Sequence, residues 1–267
     1  MPGGEDRQYV RWSCSDGVAT LVICNGPMNV ISSGVTAEFS EGVDEMRGNP
    51  AVRVIVITGA GDRAFMAGAD IKEFSEVMKR GDTALFKARR ELTCAAFEKF
   101  AALPQPTIAA VNGLAYGGGT ELALLCDLRI ASENVRFCLP EIKLGLFPAG
   151  GGTQRLPRLV GKARAKEMMF LGEPISAEEA LQMGLVNRVV PAGQALAAAQ
   201  DLAKQLAGKS AVALKLMKRV IDQGSNMDLA AGLSLESELF EEVFETEDAR
   251  EGIAAFLEKR QPRFRHR

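Results

Sequence analysis

The sequence predicts an α/β fold that ends in a purely helical region, and three observations carry that expectation. Short apolar, β-branched runs such as Val52–Thr58 and Thr107–Val111 have the length and composition of strands buried on both faces. Segments with helical periodicity separate them, which calls for βα units joined by crossovers. From Gly193 onward only helical patterns remain, so the chain divides into a core, 1–192, and a helical segment, 193–267.

Residues Met1–Gln8 are polar and glycine-rich and are expected to form a frayed start. Val18–Cys24 reads as the first strand, closed by Asn25-Gly26-Pro27. Ser33 is placed to cap a helix running to about Met46, which Asn49-Pro50 stops. After the strand Val52–Thr58, the segment Gly59–Ala64 formally fits the dinucleotide pattern G-x-G-x-x-A, but no helix opens there, so a plain turn is the better reading. In the loop that follows, Ala67, Gly68 and Ala69 leave backbone N–H groups accessible. A ligand-facing loop requires this, and a tightly packed turn would look the same. Ile71–Phe74 and Gly81–Leu103 read as helical.

The stretch Pro106–Asp127 is the most informative. A short strand, Thr107–Val111, leads to Gly117, Gly118 and Gly119, which let the backbone turn sharply with no Cβ in the way. A helical pattern then begins at Glu121. Unpaired N–H groups and the dipole at such a helix start favour negative charge over the glycines. A carboxylate at the edge of so apolar a helix is costly to bury unless something uses or pairs it.

Beyond it, Leu128–Ala131 and Val135–Leu139 read as strands around Ser132-Glu133-Asn134, with Pro140-Glu141 immediately after. Leu144–Thr153 is a second glycine-rich approach to a helix. Ser176 caps a helix, Ala177–Met183, and Val186–Val190 is the last strand. The helical segment comprises Gln194–Leu206, Ser210–Asp222, Met227–Phe244 and Glu247–Glu258, the last capped by Thr246. In the third of these, Leu239, Phe240, Val243 and Phe244 share a face expected to pack within the chain.

Composition narrows the chemistry. With 25 % charged residues, a net charge of −2 and a pI of about 5.7, nothing suggests nucleic acid or an anionic membrane as a partner. No run of about 18 apolar residues and no basic-then-apolar N-terminus is present, so a soluble cytoplasmic protein is expected. The five cysteines are scattered without a C-x-x-C pair, which points to neither a disulfide framework nor a zinc site. The only histidine is His266, in an Arg-rich tail, so Ser-His-Asp, Cys-His and His-ligated metal mechanisms lose their central residue. Carboxylates and backbone groups must do the proton and charge work of any enzyme built from this chain.

Four stretches in order, AFMAGADIKEF (64–74), AAVNGLAYGGGTELALLCD (109–127), FCLPEIKLGLFPAGGGTQRLPRLVG (137–161) and EEALQMGLVNRVVP (178–191), closely resemble the crotonase, or enoyl-CoA hydratase/isomerase, superfamily. The ending TEDAREGIAAFLEKRQPRF (246–264) resembles it too. The resemblance implies repeated ββα units in two roughly perpendicular sheets and a C-terminal helical region that builds homotrimers, often paired into hexamers. It implies an acyl-CoA thioester substrate, with coenzyme A part of that substrate and no separate cofactor or metal. Carried over by position, the oxyanion hole falls on the N–H groups of Ala69 and Gly118, and the catalytic carboxyls on Glu121 and Glu141. Substrate contacts fall on Met28, Ala67, Gly68, Asp70, Ile71, Lys72, Gly117 and Ala149, the backbone at Ala149 lying near the reacting water. Relatives with other chemistries often lack one of the two carboxylates, so a sequence that keeps both points to a hydratase.

Hydrating an α,β-unsaturated thioester builds enolate charge on its oxygen, which calls for donors aimed at that oxygen. It also needs a base for the water and a proton for C2. Glu121 is assigned to the water and Glu141 to C2, a division left open by the coupling expected between the two. Isomerisation of the double bond, dehydration, or hydration of a branched or cyclic enoyl-CoA remain alternatives within the superfamily. Asn25–Ile31 resembles a shortened form of the family's early CoA-side loop, and 74–90 falls where members shape the acyl pocket. Lys72 and the basic tail (Lys259, Arg260, Arg263, Arg265, Arg267) stand as contacts for CoA phosphates, in the same or a neighbouring subunit, or as a solvated basic face, the commoner case. RNA binding, known in a few relatives with a Lys-rich helix, is not expected, because Thr36–Arg47 carries Glu38, Glu41, Asp44 and Glu45 instead.

Overall fold

A computed structural model describes residues 7–267, so most of the expected frayed start lies outside the described residues. The chain opens with a hairpin, β1 (Val10–Ser15) and β2 (Val18–Ile23), paired antiparallel in full register. Asp16-Gly17 makes the two-residue turn with φ of 53° and 85°, a connection whose twist suits adjacent strands. β1 corrects the expectation that Val18 opens the first strand. Val10 and Trp12 point inward and alternate with exposed Arg11 and Ser13, a half-buried edge pattern unlike the apolar runs that marked the other strands.

Helix α1 (Ser33–Gly48) is capped by Ser32 rather than Ser33, the Ser32 hydroxyl accepting from the Val35 N–H. Next come β3 (Val54–Gly59), β4 (Ala64–Met66), α2 (Ile71–Arg80) and α3 (Thr83–Ala101). The central repeat is β5 (Thr107–Val111), β6 (Leu114–Tyr116) and α4 (Gly118–Leu125). It is followed by β7 (Leu128–Ser132), β8 (Arg136–Cys138), a 3-10 turn over Pro140–Leu144, α5 (Gly152–Val160) and α6 (Lys162–Leu171). Strand β9 (Ile175–Ser176), α7 (Ala177–Gln182) and β10 (Arg188–Val190) complete the core, with Ser176 and Glu179 forming a capping box.

Two sheets result. One has the order β1-β2-β3-β5-β7-β10, parallel from β2 onward, and the other β4-β6-β8-β9, parallel except at β9. In the repeats β3/β4, β5/β6 and β7/β8 the first strand joins the large sheet and the second the small one. A helix follows each pair, so the ββα pattern is visible in the topology. The short second strands β4 and β6 escape sequence patterning because three residues carry no period. At the corner between β5 and β6, a Cβ on Gly113 would meet the Arg63 backbone at 2.6 Å, and the Asn112 amide donates to the carbonyls of Gly59 and Gly61. Gly59–Ala64 is the matching corner of the previous repeat and not a dinucleotide turn.

The core has two parts. Between the sheets and helices α1 and α3 to α7 lies the larger cluster, including Phe39, Phe65, Phe100 and Phe137. On the other face of the large sheet, Val54, Val56, Ile108 and Ile130 are covered by helix α8 (Ala195–Ala207), whose Ala199, Ala203 and Ala207 recur every four residues and allow close approach. That second cover is why β3 is buried at every position.

Helices α9 (Ala211–Gly224), α10 (Leu229–Phe244) and α11 (Glu247–Leu257) follow. The face expected to pack within the chain does so only at Leu239, which is 1 % exposed, while Phe240 and Phe244 are 65 % and 60 % exposed. The helical periodicity was legible, but among the described residues nothing covers this face at Phe240 and Phe244. Among the described residues no helix is long and apolar enough to cross a membrane.

Candidate active site

The site is organised by the first turn of α4. That helix begins at Gly118, three residues before the apolar pattern suggested, because its opening glycines pack by contact and not by propensity. A Cβ on Gly119 would collide with the Met66 carbonyl, so only glycine lets α4 sit directly on β4. Thr120 Oγ1 lies 2.9 Å from the Cys138 carbonyl and reaches that of Ala115 as well, which ties the turn to β6 and β8. Gly117 caps the helix with φ 53° and ψ −121°, a conformation natural only to glycine, and donates its N–H to Cys138 O at 2.8 Å.

The loop after β4 runs beside this turn. Ile31 forms a parallel bridge with Ala69: Ile31 N donates to Gly68 O at 2.7 Å and Asp70 N donates to Ile31 O at 3.0 Å. In such a bridge the neighbours of Ala69 make both bonds, so the N–H of Ala69 points away from Ile31. A Cβ on Gly68 would stand 3.4 Å from the Gly118 N, which places the two loops in contact. Among the described residues no acceptor meets the N–H of Ala69 or of Gly118. The Gly118 N–H also stands at the positive end of the helix.

Both glutamates reach this turn. Glu121, 4 % exposed, accepts the N–H groups of Gly150 at 2.7 Å and Gly152 at 2.8 Å, both on Oε1. Its Oε2 stands 4.0 Å from where a Cβ on Gly118 would be. Burial pushes its carboxyl above the ordinary range, while the two amides and the Arg155 guanidinium pull it back. Glu141, held by the 3-10 turn after β8, brings Oε1 to 2.8 Å from where a Cβ on Gly117 would stand. Its Oε2 is buried without a partner. Burial, with a smaller contribution from the Glu121 charge, raises the Glu141 carboxyl to about 7. Two carboxyl groups and a pair of unpaired amides thus converge on Gly117-Gly118, where one group can take a proton while the other gives one.

Of the expected contact residues, Met28 accepts the Ala67 N–H on its carbonyl at 3.0 Å, so the early loop lies alongside 67–70. Asp70 caps α2 by accepting the Lys72 N–H, and the side chains of Ile71 and Lys72 stand exposed beside the site. Ala149 lies in the turn that holds Glu121, with Cys94 Sγ 3.6 Å from its carbonyl. In the basic tail Arg260 pairs with Glu251 and Glu258, and Arg265 and Arg267 pair with Glu247, all at partly exposed side chains. On α1 the acidic side chains bind within the chain as well: Glu38 accepts the N–H groups of Tyr9 and Val10, and Asp44 pairs with Lys99.

Sequence reasoning missed three contributors. Gly150 and Gly152 were visible only as a commonplace glycine-rich turn, although two amides presented by small residues are what a buried carboxylate needs. Ile31 closes over Gly118, where a Cβ would meet its Cδ1 at 2.6 Å; the sequence marked it only as the end of the early loop, not as a residue at this turn.

Comparison with known proteins shows the family of the chain. A family profile described as "Enoyl-CoA hydratase/isomerase" matches residues 13–267. A short-chain-enoyl-CoA hydratase from Clostridium acetobutylicum is 41 % identical over 247 residues, covering 92 % of this chain and 93 % of the relative. A crotonyl-CoA hydratase from Syntrophomonas wolfei is 40 % identical over 237 residues, 89 % of this chain and 90 % of the relative. The crystal structure of an enoyl-CoA hydratase from Bacillus anthracis superposes with a TM-score of 0.93 at 37 % identity, covering 97 % of this chain and all of that one (100 %).

Proposed function

The chain belongs to the enoyl-CoA hydratase/isomerase family, and from that premise we propose how its site works. It is an enoyl-CoA hydratase: it adds water across the 2,3-double bond of an α,β-unsaturated acyl-CoA to give the 3-hydroxyacyl-CoA. The thioester oxygen lies between the N–H groups of Ala69 and Gly118. Glu121 Oε2 takes a proton from the water as its oxygen bonds to C3. The π electrons move to C2 and the thioester oxygen, whose developing charge the two amides stabilise, and Glu141 delivers a proton to C2. One donor of that kind is worth roughly 3 to 4 kcal/mol in the transition state.

The observation that carries this reading is the pair of carboxyl oxygens flanking adjacent glycines, Glu141 Oε1 at Gly117 and Glu121 Oε2 at Gly118, next to unpaired amides. An isomerisation needs a single proton carrier, whereas two carboxyl groups around one gap suit a base and an acid acting on water. A carboxyl raised to about 7 is substantially protonated at neutral pH and fits the acid's part.

Met28, Ala67 and Lys72 border the CoA side, and the Lys72 ammonium, unpaired among the described residues, meets phosphate. The exposed apolar side chains of α10 and α11, Phe240, Phe244, Phe256 and Leu257, support a homotrimer or a dimer of trimers. The protein works in the cytoplasm on acyl-CoA intermediates of fatty-acid or related breakdown.

The direct test follows the conjugated absorbance of crotonyl-CoA on addition of the enzyme. The reading expects rapid loss of that absorbance, with 3-hydroxybutyryl-CoA as the product. Persistence of the signal over a panel of linear enoyl-CoAs contradicts it. Sedimentation at micromolar concentration should give three or six chains, and a monomer would overturn the assembly.

A further inference from the structure

Glu121 is held by a turn, and one side chain packs against that turn. Gly151, with φ 108°, lies between the two residues whose amides grip Glu121 Oε1, and a Cβ there would collide with the Arg155 guanidinium. That guanidinium comes from the first turns of α5 and is anchored on α3 by Glu98, with Arg155 Nη2 2.9 Å from Glu98 Oε1. A cavity of about 490 Å³ opens beside it, lined by Cys94, Ala149, Arg158 and Asn226 among others. The side chain therefore has room to leave, and the Glu98 pair is what keeps it against the turn.

We propose that Arg155 is a positioning residue for the hydration chemistry: braced by Glu98, it fixes the Gly150–Gly152 turn that grips Glu121 and sets a stationary positive charge beside that carboxyl. The inference rests on Glu121 acting as the base. The charged groups around it are Glu141 from the 3-10 turn, Arg155 from α5 and Glu98 from α3, while Arg158 on α5 lines the same cavity. Of these, Arg155 favours the ionised form of Glu121 against the effect of burial. The Arg155–Glu98 pair is partly exposed, 27 % and 66 % at the two side chains, so it contributes little to stability. Its effect is to be sought in kinetics and not in the melting temperature.

The test is the pH profile of kcat/KM for crotonyl-CoA in Arg155→Gln, Arg155→Lys and Arg158→Met, with thermal unfolding of each. In Arg155→Gln the acidic limb is expected to move up by about 0.5 to 1 pH unit, since an adjacent opposite charge lowers a carboxyl pKa by about 1 to 3 units when buried and by less when partly exposed. Activity below that limb then falls roughly threefold to tenfold, with an unfolding temperature near the parent's. Arg155→Lys keeps the charge and should restore the limb while losing part of kcat, and Arg158→Met should match the parent. If Arg155→Gln does not fold, Arg155→Lys decides: kcat and limb both equal to the parent's contradict a fork braced by Glu98. A folded Arg155→Gln with an unmoved limb and unchanged kcat overturns the proposal. Glu121→Gln, run alongside, separates the two layers. If it stays active the base assignment fails, whereas an inactive Glu121→Gln with an unaffected Arg155→Gln sinks only the role of Arg155.

Discussion

Oε1 of Glu141 lies 2.8 Å from the point where a Cβ on Gly117 would stand. The carboxyl can approach the start of α4 only because that residue has no side chain, and the backbone there, φ 53° and ψ −121°, is one that other residues avoid. Gly117→Ala should therefore displace Glu141 and strain the turn together. We expect kcat to fall by about a hundredfold, the cost of roughly 1 Å of misplacement at a reacting group. Stability should drop by about 1 to 3 kcal/mol. Steady-state kinetics with urea unfolding checks both, and an unchanged kcat would show that Glu141 does not work against this turn.

The raised Glu141 carboxyl makes both stability and rate fall as the pH rises through about 7. Its folded pKa of about 7 lies above the ordinary 4.5, so between those values the folded protein binds more protons than the unfolded chain. Its contribution is fully present below pH 4.5 and is lost as the pH rises through 7. Glu141→Gln, which cannot ionise, should melt at a higher temperature than the parent at pH 8 and at nearly the same temperature at pH 5. For the parent enzyme, kcat/KM for hydration should decline on the alkaline side above about pH 7, as the group that gives C2 its proton ionises. The two limbs belong to the coupled pair of carboxyls rather than to one residue each. A flat profile from pH 6 to 9 contradicts the acid's role.

Lys72 stands exposed in the first turn of α2, two residues beyond the cap at Asp70 and with no ion-pair partner among the described residues. Lys72→Ala should raise KM for crotonyl-CoA severalfold with little change in kcat. The difference should shrink in high salt, because the lost interaction is between exposed charges. A KM that does not change at low salt would remove Lys72 from the CoA side.

What the sequence revealed and what it hid follow from length and locality. Val54–Gly59 and Thr107–Val111 were legible because both faces are covered, leaving mostly apolar runs buried throughout. The helices after Gly193 were legible from period and caps, down to Thr246 accepting the Ala249 N–H. Strands β4 and β6 were not, since three residues hold no pattern, and β1 was hidden by its polar outer face. In the site, Glu121 and Glu141 stood out as carboxyls beside glycine and proline turns. The partners of Glu121 lie 29 and 31 residues away at Gly150 and Gly152, and Arg155 acts from farther along the same segment, so only the folded chain shows that they meet. The apolar face of α10 misled for a related reason: periodicity reports that Phe240 and Phe244 share a side with Leu239, and it says nothing about what covers that side.

The central claim is that two carboxyl groups share the chemistry of one water molecule. Rapid-mixing measurement of crotonyl-CoA hydration at saturating substrate in Glu121→Gln and in Glu141→Gln tests it most directly, together with the affinity of each variant for a saturated acyl-CoA. The account predicts that each substitution slows the chemical step by several hundredfold or more while affinity stays within a few-fold of the parent's. A variant of either kind that hydrates within a few-fold of the parent's rate would contradict it.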